Sequence, residues 1–220
     1  MEPPDRNPID WQTLPKNGEI SVFLVRHGQT EWNKAGRFLG RTDIPLDDEG
    51  RAQAARLAGA LAPVQLNGIY SSPLSRAWQT AEAIAQNRNM QITPLRGLTE
   101  LDQGDLEGHY GRDLPSDFPA FYAKWKADPT DVRVPGGETL AECSARANRA
   151  LRDVLTKHSP GQNIAVVAHR VSIAAILAET IGLPVRFNMR IGQRNTAINL
   201  LSHRDGVTKL LRLNDASHLD

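Results

Sequence analysis

Ile20-Ser21-Val22-Phe23-Leu24-Val25-Arg26-His27-Gly28 is the stretch on which the reading of this chain turns. Its apolar, β-branched part, Ile20 to Val25, is too short for a helix and too apolar for a half-exposed strand, so it reads as a buried parallel strand. The strand breaks off at Arg26-His27. Working outward, Gly68-Ile69-Tyr70 breaks off in the same way into Ser71 through Arg76, and Ile164 to Val167 into Ala168-His169-Arg170. Helical spacing falls between and after these strands. Asp47 to Leu61 places Ala54, Leu57, Ala58 and Leu61 on one face, with Asp47-Asp48-Glu49 in its first turn; Ser75 to Gln86 follows the second strand. Thr139 to Lys157 aligns Leu140, Cys143, Ala147, Leu151 and Val154, and a further helix runs through Ile173 and Leu177. Ala197 to Leu201 and Thr208 to Leu213 flank Asp205-Gly206, a hairpin signal read with a loop longer than two residues. The alternation predicts a three-layer α/β/α fold with a mostly parallel central sheet.

The 220 residues fit one domain at roughly 100–200 residues per domain. Residues 1–17, rich in Pro, Asn and charge, read as a surface arm with Trp11 as a docking point, leaving 18–220 as the domain. Between Glu100 and Glu138 periodicity fails among repeated Gly and Pro, except for a short helix around Phe121 to Lys126; residues 104–137 thus read as an insertion covering a site. Lys and Arg total 26 against 25 Asp and Glu, a net +1 that lacks the basic footprint of a nucleic-acid binder. The one cysteine, Cys143, excludes an internal disulfide and a thiolate metal cluster. No apolar run approaches the roughly 18 residues of a membrane span, and Pro3, Pro4, Asp5 and Pro8 leave no apolar signal core. The expectation is a cytoplasmic protein whose partner is a small molecule, neither nucleic acid nor membrane, with a homodimer left open.

In an open parallel sheet the carboxyl ends of the strands share one edge, where ligands bind. That rule brings His27, His169, Arg26, Arg76 and Arg170 together. Three guanidiniums repel one another unless an anion sits among them, and their forked donors suit a phosphoryl group. A neutral imidazole is a competent phosphoryl nucleophile, arginines stabilise the group in flight, and a carboxylic acid protonates the departing alkoxide. Glu100, Asp102, Asp105 and Glu107 each offer that carboxyl. No carboxylate cluster has metal-ligand spacing, so neither metal nor cofactor is expected.

Leu24-Val25-Arg26-His27-Gly28-Gln29-Thr30-Glu31-Trp32-Asn33 resembles the signature of the histidine phosphatase superfamily, also called phosphoglycerate mutase-like, and the resemblance covers roughly residues 20 to 218. Ser71 to Ala77 with Gln79-Thr80-Ala81, Leu98-Thr99-Glu100 with Gly104 to Gly108, Pro135-Gly136-Gly137-Glu138, and Ala168-His169 continue it in order. The resemblance implies the phosphoglycerate mutase-like fold and metal-free chemistry. It makes His27 the phosphorylated nucleophile, with Arg26, Arg76 and His169 on the phosphoryl group, Glu100 the proton donor and Asn33 a helper. His218 resembles a tail segment that approaches the site in several family phosphatases, and Arg37, with Arg41, lies in a Gly-flanked loop facing substrate. One departure stands out: the family's His-Gly after the third strand is here His169-Arg170, which adds Arg170 to the substrate-binding candidates.

Phosphoglycerate mutases carry Glu-Arg-x-Tyr-Gly in the acid segment, whereas Glu100 to Gly108 here resembles that of broad-specificity, alpha-ribazole and fructose-bisphosphatase-like phosphatases. The function expected from this resemblance is a metal-independent phosphomonoesterase acting through phosphohistidine on a small phosphorylated metabolite. Two alternatives stand beside it, mutase-type phosphoryl transfer and a catalytically silent phosphoryl-binding module.

Overall fold

The computed structural model describes residues 18–86 and 88–220; the arm at 1–17 and Trp11 lie outside them. The decisive stretch forms β1 (Ile20–Arg26), paired in parallel with β4 (Asn163–Ala168) and antiparallel with β5 (Ile198–Arg204). Beyond β4 lie β2 (Gly68–Ser71) and the edge strand β3 (Ile92–Pro94), both parallel; beyond β5, β6 (Val207–Asp215) runs antiparallel to it. The order is β3-β2-β4-β1-β5-β6. Buried between neighbours on both sides, β1 can be apolar on both faces, which is why its sequence does not alternate.

Each face has its own helices. Phe23 and Val25 join Leu57 and Leu61 of α2 (Asp48–Leu61) and Ala81 and Ile84 of α3 (Ser75–Ala85) in one cluster. Val22 and Leu24 join Leu151 and Val154 of α6 (Leu140–Leu155) and Ile173 and Leu177 of α7 (Arg170–Thr180) in another. Caps fix two starts: the Asp47 carboxylate accepts from Gly50 N at 2.7 Å, and Thr139 and Glu142 form a reciprocal capping box on α6. The short α1 (Glu31–Ala35) begins on the Thr30 hydroxyl, which accepts from Asn33 N, and ends on Gly36 in the left-handed region.

A third apolar cluster holds the segment between Glu100 and Glu138 in place. Leu106, Leu114 of α4 (Leu114–Asp117), Phe121 of α5 (Pro119–Ala127) and Val134 pack with Leu140 and Cys143 of α6 and Val171 of α7. Several features differ from the sequence reading, the unanticipated short helices α1 and α4 among them. β3 was not anticipated, and the hairpin is tighter: Arg204 pairs with Val207, so only Asp205 and Gly206 lie between the strands. Both adopt positive φ, 51° and 77°, the geometry that matches the twist of the flanking strands and lets pairing run up to the turn. Among the described residues no helix is long and apolar enough to cross a membrane.

Candidate active site

The carboxyl ends of β1, β2 and β4 meet as the sheet rule requires. His27 follows β1, Ser72 follows β2, and His169 follows β4; the two imidazole centroids stand 5.0 Å apart. Gly28 lets this corner close, because a Cβ there would stand 2.5 Å from the Gly50 carbonyl oxygen. The His27 ring is buried, and its Nδ1 lies 2.6 Å from the Gly28 carbonyl oxygen. A carbonyl only accepts, so Nδ1 carries the proton and Nε2 keeps its lone pair. Burial, reinforced by Arg76 and Arg26, holds His27 well below the ordinary histidine range, so the ring is neutral at pH 7.

His169 has the complementary tautomer. Arg76 Nε donates to its Nδ1 at 3.2 Å, so Nε2 carries the proton, 2.7 Å from the Ser72 hydroxyl. Burial, then Arg76 and His27, hold this imidazole well below its usual range as well. Arg76 is itself fully buried and donates to the carbonyls of Gly40 at 2.7 Å and Thr42 at 3.0 Å. Arg26 donates to the Gln193 carbonyl at 2.6 Å, while its buried Nε has no hydrogen-bond partner among the described residues. Burial pushes both guanidiniums down to about 10.

The four carboxyls of the acid segment separate by position. Glu107 accepts from the backbone N–H groups of Arg41 at 2.5 Å and Thr42 at 2.7 Å, tying the same 40–42 loop whose carbonyls accept from Arg76. Asp102 accepts from Gly104 N at 3.1 Å, and Asp105 packs against Gly136. Glu100 alone of the four lines the cavity beside His27. Its Oε1 accepts from Leu101, Val171 and Ser172 N–H at 2.8, 3.1 and 3.3 Å, and Oε2 shares the Val171 N–H at 3.1 Å. The carboxyl is thereby fixed on the first turn of α7.

Arg146, on α6, was not singled out by the sequence reading. It donates to the carbonyls of Gly97, Thr99 and Glu100 and pairs with Glu138, which accepts from Asp102 N at 2.9 Å. This explains Pro135-Gly136-Gly137-Glu138: Gly136 takes φ +68°, and a Cβ on Gly137 would stand 2.2 Å from the Asp102 carbonyl oxygen. Asn195 was also missed; its Nδ2 donates to the His27 carbonyl at 3.1 Å and to Asn33 Oδ1 at 3.3 Å. Its only sequence signal is a polar loop opening onto β5.

Arg26, His27, Asn33, Arg37, Glu100 and Arg170 all line one cavity of about 470 Å³. Leu114, Phe121, Tyr122 and Trp125, from the 104–137 segment, supply its apolar wall. Arg76 and His169 are not among the lining residues and stand fully buried behind them. Arg37 is exposed, with its guanidinium 5.0 Å from the Tyr110 ring centroid. Arg41 pairs with Glu138 instead of lining the cavity. His218 does not line it either: its Nε2 lies 3.1 Å from the hydroxyl of Thr196, whose N–H donates to the His27 carbonyl. Burial lowers the His218 pKa.

The model of the histidine phosphatase superfamily (branch 1) matches residues 22–216, a span that includes all of these strand ends. The chain belongs to that superfamily. It is 31% identical over 200 residues to Phosphoserine phosphatase 1 of Hydrogenobacter thermophilus, covering 91% of this chain and 94% of that one. It is 32% identical over 206 residues to a protein of Salmonella choleraesuis named "Probable phosphoglycerate mutase GpmB", covering 91% and 95%. Among solved structures, a mutant phosphoserine phosphatase from Entamoeba histolytica in complex with phosphoserine superposes with a TM-score of 0.83 at 28% identity, covering 91% of this chain and all of that one. This histidine phosphatase therefore resembles proteins named for hydrolysis and for mutase chemistry alike.

Proposed function

We propose that the protein is a metal-independent phosphomonoesterase that acts on a small phosphorylated metabolite through a phosphohistidine on His27. The observation that carries the reading is the Nδ1–H bond from His27 to the Gly28 carbonyl, which leaves Nε2 as a neutral nucleophile beside a guanidinium and a carboxyl. Nε2 attacks phosphorus as the bond to the ester oxygen breaks. Arg26, Arg76 and His169 take up the charge on the transferring group, with Asn33 beside them, and the unpartnered Arg26 Nε is a ready donor. Glu100 gives its proton to the leaving alkoxide. Oε2 suits that duty because it shares one N–H while Oε1 accepts three. The resulting carboxylate then takes a proton from the water that cleaves the phosphohistidine and releases inorganic phosphate.

The relatives named for phosphoserine and phosphoglycerate chemistry supply the trial substrates. Incubation of chelator-treated protein with O-phosphoserine or 3-phosphoglycerate is expected to release inorganic phosphate. Formation of isomeric phosphoglycerate without phosphate would favour mutase-type transfer. No turnover of these esters or of nitrophenyl phosphate would favour a silent binding module.

A further inference from the structure

Arg170 and Arg37 are the cavity-lining cations that the reaction as described does not use. Arg170 lines the cavity with His27 and Arg26, and among the described residues its guanidinium forms no ion pair. It makes one long contact, 3.7 Å from Nη to Met189 Sδ. An arginine without a carboxylate in a partly closed cavity, close enough to Arg26 to help depress that guanidinium, is a charge awaiting a counterion.

The charge balance points the same way. Three arginines, Arg26, Arg37 and Arg170, line the cavity with a single carboxyl, Glu100, and the buried Arg76 brings the cations to four. With the acid carrying its proton, a phosphoryl dianion offsets two of the four. Location decides which part of the substrate meets Arg170. The Glu100 carboxyl, the proton donor to the leaving oxygen in the scheme above, is bonded to the N–H of Val171, the residue after Arg170, and Glu100 and Arg170 line the same cavity. Arg37 is a weaker candidate, being exposed and engaged with Tyr110. The lining residues of the 104–137 segment, Leu106, Gly111, Leu114, Phe121, Tyr122 and Trp125, offer no charge.

Resting on the phosphatase reading above, we infer that Arg170 is a specificity-determining residue that binds a second anionic group, a carboxylate or second phosphate, on the leaving alcohol. A guanidinium fork pairs with such a group through two parallel N–H bonds. The natural substrate is therefore a phosphomonoester whose alcohol is itself an anion.

The test uses matched esters that differ in that group alone: 3-phosphoglycerate against glycerol 3-phosphate, and O-phosphoserine against O-phosphoethanolamine. Wild-type protein is expected to favour the carboxylate-bearing member of each pair in kcat/KM. In Arg170→Gln the preference should fall by about tenfold or more, mainly through KM. Arg170→Lys should retain an intermediate preference, because it keeps the charge and loses the fork. Thermal melting establishes that both variants fold. Equal loss on both members of a pair, or an unchanged preference, overturns the assignment of Arg170 while leaving the phosphatase reading intact. Turnover of nitrophenyl phosphate but of none of the four esters overturns this inference alone; absence of turnover of all five by wild type overturns the phosphatase reading and this inference with it.

Discussion

Glu100 shows how one residue's role depends on where its neighbours' hydrogen bonds go. Four carboxyls crowd the acid segment, and spacing alone cannot rank them. Asp102 and Glu107 are taken up by backbone N–H groups of loops, and only Glu100 reaches the cavity. If it is the acid, Glu100→Gln should slow glycerol 3-phosphate by about 10²–10⁴-fold, a range typical of general acid catalysis, and nitrophenyl phosphate far less, because phenolate leaves unaided. Equal losses on both would assign Glu100 a structural part. The two imidazoles carry a pH signature. Both are held below their ordinary value near 6.5, so below that pH the unfolded chain binds protons that the folded chain refuses. Their contribution to stability is complete above that value and is lost as pH falls toward the folded values. Tm should therefore drop between pH 7 and pH 5, less steeply in His27→Asn than in wild type; parallel curves would contradict the depressed pKa. His27 and His169 were legible in the sequence because each follows an apolar strand. Arg146 and Asn195 were not, because a helix-face arginine and a loop asparagine look like solvated surface until the fold sets carbonyls around them.

At the scale of elements, the Glu100 carboxyl is held by a scaffold distant in sequence. Arg146 of α6 bonds three successive stretches of backbone around residues 97–100, and Glu138 completes the pair. Arg146→Met should cost about 1.5–3 kcal/mol, the scale of a charge-assisted hydrogen bond, and should lower kcat more than KM by loosening Glu100. Arg146→Lys should not restore either, since one ammonium cannot span the same acceptors. Melting curves with steady-state kinetics check both; wild-type kcat in Arg146→Met would remove Arg146 from the positioning of the acid. The strands and long helices were readable because they are buried and their periods are clean. β3 was missed because it has three residues on a sheet edge, two of them exposed, and ends in proline. The hairpin was read too loosely because Ser202-His203-Arg204 looks polar enough for a loop, yet at this margin of the sheet polar residues continue the strand.

The whole molecule balances to a net charge of +1 while gathering Arg26, Arg76 and Arg170 around one edge of the sheet. Composition hides that asymmetry, whereas the order of strands and helices in the sequence already implies that residues 26, 76, 169 and 170 share one edge, as the topology shows. With arginines supplying the charge neutralisation, exhaustive chelation should leave kcat/KM within about twofold, and a strict divalent-cation requirement would contradict the scheme. Among the described residues, no group of three or more His, Cys, Asp or Glu side chains is placed to hold a metal ion. The central claim is that the phosphoryl group passes through a bond to His27. Brief exposure to phosphoryl-labelled 3-phosphoglycerate, followed by a denaturing alkaline quench, tests it most directly. The account predicts base-stable, acid-labile label on the wild-type protein, mapped to the peptide containing His27, and none on His27→Ala. Label that persists in His27→Ala, or turnover that survives the substitution, would contradict it.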